Sequence, residues 1–370
     1  MPLCQHGRMV DARLSRFLLE AGATEADIEQ AVADGWIPVL VLDRVLMPGV
    51  PKYDVPALAA AGGTDPETLR RLWRALGFPD VPDGLALFTD TDADAIHRLL
   101  RGVNRDPIAT ARPERETPER QARVVSAALS RIAAYEAELL ANALDDLRNA
   151  GLDDEQAAIT LLDSFEWDDL AWLIDYAHRL QLRAAAWRRL TRPSERNTVE
   201  MAIGFADLSG YTELAEELDD RQLAELLDQF EIVAFDTVAE LGGRVVKTIG
   251  DEIMFVGPPD AVASIALALL DRARTIEELP SVRLGISFGS VLSRDGDYFG
   301  PIVNLASRIT NRARPGTVLA SAGIHDVLVD DERFRWRPLR TRRIRGIGEV
   351  KLFALRPPRG DASGDSDAGA

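Results

Sequence analysis

The sequence has a single cysteine and no long apolar run, and each absence excludes a class of protein. Cys4 has no partner for an internal disulfide, and no cysteines and histidines stand at zinc-site spacing. The longest apolar stretch, residues 36–43, is far shorter than the roughly 20 residues that a membrane-spanning helix needs. The first residues also lack the basic-then-apolar order of a secretory signal. We therefore expect a cytoplasmic protein without a membrane span.

Basic residues are scarce relative to acidic ones. Forty-three Lys and Arg stand against 60 Asp and Glu, which leaves a formal net charge of −17. This balance opposes sequence-independent binding to nucleic acid, and we expect no nucleic-acid partner. The 370 residues, 46% hydrophobic and 28% charged, indicate a globular chain with two or three domains.

The first half of the chain has a helical pattern. Apolar residues recur at spacings of three and four from about residue 8 to residue 190. We predict a helical domain over residues 1–190, with sub-lobes 1–105 and 119–190 on either side of a proline-rich stretch. The later sub-lobe should hold long helices over 119–149 and 168–190. Its large aromatic side chains are expected to pack in a core or a dimer interface: Trp167, Trp172, Tyr176 and Trp187.

Strands and helices alternate in the second half. Residues 191–197 contain Pro193 and no apolar run, so we place a linker there, followed by a domain over 198–357 and a disordered tail over 358–370. The element order β-α-β-β-α-β predicts an α+β fold of the ferredoxin-like, split βαβ type, with helices on one face of the sheet. Residues 212–241 should form one helix, and residues 342–355 a closing hairpin.

Two acids lie at positions where sheet edges are expected to meet. Asp207 ends a predicted strand and precedes a turn of small residues, and Asp251 lies in a tight hairpin after Gly250. Two carboxylates on neighbouring strand ends suit a pair of divalent cations beneath a nucleoside triphosphate. Taken singly, each acid would be an ordinary turn residue, because aspartate hydrogen-bonds its own backbone in turns.

Three separated segments resemble the signature motifs of class III adenylyl cyclases: residues 205–214 (FADLSGYTEL), 247–254 (KTIGDEIM) and 297–308 (DYFGPIVNLASR). The resemblance covers about residues 198–357. It implies conversion of ATP to cyclic AMP and pyrophosphate with two divalent cations, Mg²⁺ or Mn²⁺. In this family pattern Asp207 and Asp251 hold the metals together with the backbone carbonyl of Leu208, and Phe205 belongs to the substrate site.

The resemblance also implies how the base is recognised. Lys247 and Asp297 match the pair that reads adenine, since an ammonium can donate to N1 and a carboxylate can accept from the N6 amino group. Family members that make cyclic GMP carry Glu and Cys types at these places, so adenine is favoured. The alternative is a surface ion pair and a turn aspartate without a function.

The remaining matches concern the ribose and the phosphates. Asn304 and Arg308 are four residues apart, so they share one face of a helix. They match the ribose-orienting Asn and the Arg that stabilises the transition state, although a helix N-cap and a solvated Arg are the ordinary alternatives. Arg345 matches the residue that meets the terminal phosphates, with Arg340, Arg342 and Arg343 as nearby competitors. Because family sites combine residues of two subunits, the resemblance implies a homodimer with two composite sites.

The helical half resembles the regulatory domain of soluble actinobacterial cyclases, which is autoinhibitory and responds to pH and fatty acids. A fatty acid is therefore a candidate partner, and His97 or His178 a candidate pH sensor. Residues 55–76 also resemble a helix-turn-helix with Arg70, Arg71 and Arg74 on its second helix, but acidic surroundings favour structural packing over DNA binding.

Other functions remain open on the same residues. A guanylate cyclase would share the metal acids, and a non-catalytic nucleotide sensor would share the scaffold.

Overall fold

The computed structural model describes residues 10–104, 118–164, 167–191, 198–276, 279–344 and 346–358. The chain divides into two compact units, Met1–Leu182 and Arg183–Ala370, so the division falls inside the helix Trp167–Thr191. Most of the predicted linker and of the predicted tail lies outside the described residues.

The described part of the first unit is helical. The predicted helix over 119–149 is confirmed as a helix of 32 residues. No helix in the described ranges combines the length and apolar character that crossing a membrane requires. The helices are α1 (Ala12–Glu20), α2 (Glu25–Asp34), α3 (Ile37–Leu46), α4 (Val55–Gly62), α5 (Pro66–Ala75), α6 (Asp90–Asn104), α7 (Pro118–Asn149), α8 (Asp154–Ser164) and α9 (Trp167–Thr191).

Short polar side chains begin several of these helices. Thr24 forms a capping box with Asp27 at the start of α2, and Asp65 accepts a hydrogen bond from the backbone of Thr68 at the start of α5. The residue after α2, Gly35, has φ 74°, a conformation that glycine adopts without strain. The local sequence therefore specifies where these helices begin and end.

The aromatic residues of α9 are largely exposed. Trp172, Tyr176 and Trp187 are 63%, 47% and 68% exposed, and the rings of Trp172 and Tyr176 stack with centroids 5.2 Å apart. The expectation of core packing is wrong for these three residues. The other part of that prediction, an interface between subunits, stays a prediction.

The arginines on which a DNA-binding function would depend form ion pairs within the first unit. Arg70 pairs with Asp83, Arg74 with Asp80, and Arg71 with Glu119. Paired guanidinium groups have less positive potential to offer a phosphate backbone. The structure thus agrees with structural packing of α4 and α5.

A mixed sheet forms the centre of the second unit. Its strand order in the described residues is β2-β3-β1-β4-β6-β10-β7, with β5 added beside β4. The first four positions reproduce the split βαβ order, which confirms the predicted fold class. The strands are β1 (Thr198–Leu208), β2 (Arg244–Ile249), β3 (Glu252–Gly257), β4 (Val282–Arg294), β5 (Asp297–Phe299), β6 (Val318–Ser321), β7 (Arg335–Pro338), β8 (Arg342–Ile344), β9 (Gly348–Val350) and β10 (Leu352–Arg356).

Helices cover both faces of this sheet, whereas the sequence predicted one covered face. Alternate residues of β1 separate the faces: Ala202 and Ala206 join the larger core, and Ile203 and Phe205 join a second cluster on the other side. The larger core is built with α11 (Asp220–Glu240), α12 (Pro259–Ala273) and α14 (Ala322–Leu328). The opposite face receives α13 (Pro301–Thr310), which carries Asn304 and Arg308.

Two further predictions are corrected. Residues 212–241 form two helices, α10 (Tyr211–Glu217) and α11, because Asp219 and Gln222 make a capping box that starts a new helix. The segment 342–355 contains the small hairpin β8-β9, and β10 leaves it to pair with β6 and β7 in the main sheet.

Helix α13 approaches the sheet at Gly285. A Cβ atom placed on Gly285 would lie 2.3 Å from the backbone nitrogen of Thr310 and 2.6 Å from the carbonyl oxygen of Ala306. These are backbone atoms, which cannot move without moving the helix. Glycine at this position therefore permits α13 to pack directly on β4.

We expect Gly285→Ala to destabilise the protein by about 1–3 kcal/mol, because the added methyl group overpacks the contact between β4 and α13. Urea unfolding measures the change. Gly257→Ala is the matched control, since a Cβ there meets atoms only at 3.4 Å or beyond. Equal stability of the two variants would contradict the role given to Gly285.

Candidate active site

The structure brings the two predicted acids together at one end of the sheet. Asp207 is the penultimate residue of β1 and is 7% exposed, and Asp251 follows Gly250 in the turn between β2 and β3. Burial, together with a hydrogen bond and the negative charge of Asp207, raises the pKa of Asp251 to about 6. The two carboxylates are thus direct neighbours although they are 44 positions apart in the sequence.

Two charged neighbours of Asp207 were not identified from the sequence. Cross-strand pairing places Glu252 of β3 on one side of Asp207 and Arg283 of β4 on the other. Arg283 donates to Oδ2 of Asp207 at 2.5 Å. Burial and the charges of Asp207 and Asp251 raise the pKa of Glu252 to about 7. The signal that would have found both residues is the strand register, which the motifs alone do not contain.

The donor set fits a divalent cation. The carboxylates of Asp207 and Asp251 adjoin, and Leu208, whose backbone carbonyl is the further predicted ligand, follows Asp207 directly and is 1% exposed. Among the described residues, no group of three or more His, Cys, Asp and Glu is arranged to hold a metal ion. That is compatible with Mg²⁺, which is usually bound by one or two carboxylates together with substrate phosphates and water.

Phe205 serves as a packing residue in this chain. Its side chain is 3% exposed and lies among Ile203, Met254 and Val256. Its predicted place in the substrate site stays a prediction. Its burial instead supports β1 two residues before Asp207.

Lys247 and Asp297 form an ion pair between β2 and β5. Lys247 Nζ donates to Asp297 Oδ2 at 2.5 Å, with the two side chains 33% and 25% exposed. The other oxygen of Asp297 accepts from the backbone nitrogen of Tyr298 at 2.7 Å. The structure therefore brings the two predicted base-reading residues together. The alternative of a simple surface ion pair predicts the same contact.

A tight turn places Asp297. Residues Asp295 and Gly296 connect β4 to β5 with φ values of 54° and 84°. Positive φ at both central residues is typical of a type I′ hairpin turn, which Asp-Gly favours. The turn returns the chain along β4, so Asp297 pairs with Arg294 across the strands.

Asn304 and Arg308 are exposed on the outer side of α13, where Ala306 and Ile309 are buried against the sheet. The N-cap of α13 is Gly300, and Pro301 begins the helix, so Asn304 is not a capping residue. The ordinary alternative for Asn304 is thereby excluded. The two side chains present an amide and a guanidinium on one face, one helical turn apart.

The closing hairpin passes close to Arg308. A Cβ atom placed on Gly346 would lie 3.6 Å from Nη1 of Arg308. Arg345 itself lies outside the described residues, so its predicted role with the terminal phosphates stays a prediction. Among its predicted competitors, Arg342 and Arg343 are exposed on β8 and Arg340 is exposed just before it.

Comparison with known proteins identifies the family. Residues 194–357 match the model for the adenylate and guanylate cyclase catalytic domain. An adenylate cyclase of Glutamicibacter nicotianae is 33% identical over 349 residues, which span 89% of this chain and 84% of that protein. The chain belongs to the class III adenylate cyclases.

Further relatives of this class III cyclase extend across both units. An adenylate cyclase of Streptomyces coelicolor is 29% identical over 85% of this chain and 89% of its own length. A pH-sensitive adenylate cyclase of Mycobacterium tuberculosis is 30% identical over 96% of this chain and 91% of its own length. Among solved structures, the adenylyl cyclase CyaB from P. aeruginosa matches 46% of this chain and all of its own, with 24% identity and a TM-score of 0.40.

Proposed function

We propose that this class III cyclase converts ATP to cyclic AMP and pyrophosphate. The main support for the proposal is that Asp207 and Asp251 lie next to each other at the end of β1, in a chain that belongs to this enzyme family. Asp207, Asp251 and the carbonyl of Leu208 would hold two divalent cations, Mg²⁺ or Mn²⁺. When bound, these ions supply charge stabilisation at the phosphates and favour ionisation of the ribose 3′-hydroxyl.

The chain's own residues supply the remaining chemistry. Lys247 would donate to adenine N1, and Asp297 would accept from the N6 amino group, which together read the edge of the base. Asn304 would orient the ribose. The guanidinium of Arg308 would offset negative charge as it develops on the α-phosphate, a contribution that is large in phosphoryl chemistry.

Adenine is favoured over guanine by the Lys247–Asp297 pair. Guanine presents an acceptor at O6 and a donor at N1, which is the reverse of what this donor and acceptor require. The ion pair at 2.5 Å supports the proposal by holding both groups ready at one place between β2 and β5. A guanylate cyclase is the second candidate, and a nucleotide sensor without activity the third.

The proposal predicts cyclic AMP as the product from ATP and Mn²⁺, with GTP turned over at least about tenfold more slowly because its base edge does not match. Chromatography of the products from the purified full-length protein measures both rates. Asp207→Asn is the control and should be inactive. Cyclic GMP as the main product would instead support the guanylate cyclase, and no product from either nucleotide the sensor.

We also propose that the enzyme acts as a homodimer with two composite sites. Asn304 and Arg308 are exposed on α13, where a second subunit can use them. A single chain carries each group once, so a head-to-tail pair would form two equivalent sites, each with the acids of one subunit and the amide and guanidinium of the other.

Mixing two inactive variants tests this arrangement. Asp207→Ala and Arg308→Ala each damage both sites of their own dimer, but a mixed dimer keeps one intact site. Random mixing should therefore restore about a quarter of the parental activity, because half of the dimers hold one intact site of two. Two affinity tags verify that mixed dimers form. Mixed dimers without any activity would contradict shared sites.

Regulation by the helical unit is a further part of the proposal. The alignments with two adenylate cyclases cover 89% and 96% of this chain and therefore include much of the helical unit. One of these relatives is named pH-sensitive. His97 and His178, the candidate pH sensors, are exposed on α6 and α9. The cavity among Val55, Leu69 and Trp73 measures about 10 Å³ and has room for about one water molecule, so fatty-acid binding there would require the helices to separate.

Deleting residues 1–192 should raise the specific activity or flatten its pH profile, because an inhibitory partner of the catalytic unit is removed. Cyclic AMP formation between about pH 5 and 8, where histidine titrates, compares the truncated and full-length proteins. Sedimentation analysis shows whether the truncated protein is still a dimer. A truncated dimer with the parental rate and profile would refute autoinhibition.

A further inference from the structure

Side chains join β2 to β5 in the described part of the sheet, since the backbone of β2 pairs with β3 and that of β5 pairs with β4. The first contact is the ion pair of Lys247 and Asp297. In the second contact, Nη2 of Arg244 donates to the hydroxyl oxygen of Tyr298 at 3.0 Å. The guanidinium carbon of Arg244 also lies 5.6 Å from the centre of the tyrosine ring. A charge-assisted hydrogen bond and a cation–π contact thus act between the same two residues.

A bulge in β2 brings Arg244 and Lys247 to the same face of the sheet. Residues three apart in a regular strand point to opposite faces. The register of β2 against β3 shifts between Val245 and Lys247. Arg244 lies opposite Val256 before the shift, and Lys247 lies opposite Met254 after it. Because Val256 and Met254 both belong to the cluster on the α13 side, the extra residue turns both cations toward that face.

Tyr298 is placed to hold Asp297. The two residues are adjacent in β5, and the backbone nitrogen of Tyr298 donates to Oδ1 of Asp297 at 2.7 Å. The ring of Tyr298 packs against the same cluster, together with side chains of α13. Because the ring is packed and the hydroxyl is bonded to Arg244, Tyr298 has little freedom to move. Asp297 therefore keeps one oxygen on this backbone nitrogen and the other on Lys247.

The orientation of Asp297 affects which base the proposed site accepts. A carboxylate held beside the ammonium of Lys247 can accept from the N6 amino group of adenine. Guanine carries the O6 acceptor at the corresponding place, where the same carboxylate would repel it. A carboxylate that is free to rotate away would lose both effects. Selectivity between the two bases thus depends on what holds Asp297.

We infer that Arg244 and Tyr298 are positioning residues that hold Asp297 beside Lys247 and thereby maintain the selectivity for adenine over guanine. The inference rests on the proposed function, since it concerns the base-reading pair of the same site. Arg244 and Tyr298 act through Asp297 and need no contact with the nucleotide. A purely structural contact would stabilise the β4–β5 hairpin without changing the relative affinities for the two bases.

Isothermal titration calorimetry of the full-length protein with 3′-deoxy-ATP and 3′-deoxy-GTP, each with Mn²⁺, tests the inference without turnover, because both nucleotides lack the hydroxyl that would react. The measured quantity is the dissociation constant of the guanine nucleotide divided by that of the adenine nucleotide. Tyr298→Phe keeps the ring but loses the hydroxyl, and its ratio should fall at least about fivefold. Arg244→Gln should lower the ratio by at least as much, because it removes the cation–π contact as well. The double variant should fall no further than Arg244→Gln, since both changes break the same contact.

Two controls accompany the titration. Arg272→Gln removes a guanidinium that donates to Thr237 and pairs with Glu240, between α11 and α12 on the other face of the sheet. Its ratio should stay within about twofold of the parent. Asp297→Ala should abolish the preference for adenine, which shows that the ratio reports on this residue. Thermal unfolding of every variant shows whether the fold is retained.

The outcomes separate this inference from the proposed function. A lowered ratio in Tyr298→Phe and Arg244→Gln, with Arg272→Gln unchanged, supports the inference. The parental ratio in either variant, when folded, overturns it, and a loss of thermal stability at that ratio would mark a purely structural contact. A parent that binds both nucleotides equally also overturns it. If the parent prefers 3′-deoxy-ATP but makes no cyclic nucleotide, the proposed function fails, and the ratios still decide the role of Arg244 and Tyr298.

Discussion

The contact between Asp207 and its neighbours is the constraint on which the second unit depends. Asp207 is 7% exposed, and burying a carboxylate is costly unless it is paired. Arg283 on β4 supplies the pair, and Asp251 after β2 supplies a hydrogen bond. Because these groups come from strands on both sides of β1, the site exists only when the sheet has its native register.

Side chains along β1 point alternately to the two faces of the sheet, and each face packs against different helices. Ala202 and Ala206 face the larger helical core, and Ile203 and Phe205 face the cluster below α13. Asp207 continues the second series, so the acid emerges on the face that also receives α13. Close packing at Gly285 keeps that helix against the sheet, which places the exposed Asn304 and Arg308 on the same side of the unit. The small and apolar residues of β1 and β4 therefore determine the face of the sheet on which these polar groups lie.

The sequence predicts those features that depend on local patterns. The turn at Gly250 and Asp251, the strand that places Asp207 near its end and the split βαβ order follow from residue types at short range, and the structure has all three. Features that depend on register or burial were missed. Nothing in the local sequence distinguishes Arg283, which lies beside Asp207 only because the two strands pair in this register. The exposure of Trp172 likewise cannot be derived from the size of its side chain. The break before α11 was readable in principle, since Asp219 and Gln222 carry the capping-box spacing.

The polar groups of the proposed site differ in how the fold of one chain places them. Asp207, Lys247 and Asp297 already have internal partners, which hold them in place without substrate. Asn304 and Arg308 are exposed on a helix whose other side is buried. An exposed amide and guanidinium gain stronger interactions where another surface brings negative charge and excludes water. The acids of a second subunit and a nucleoside triphosphate would supply that surface. The proposed division of the site between two chains would thus combine acids held within one subunit with an amide and a guanidinium that the other subunit presents at its surface.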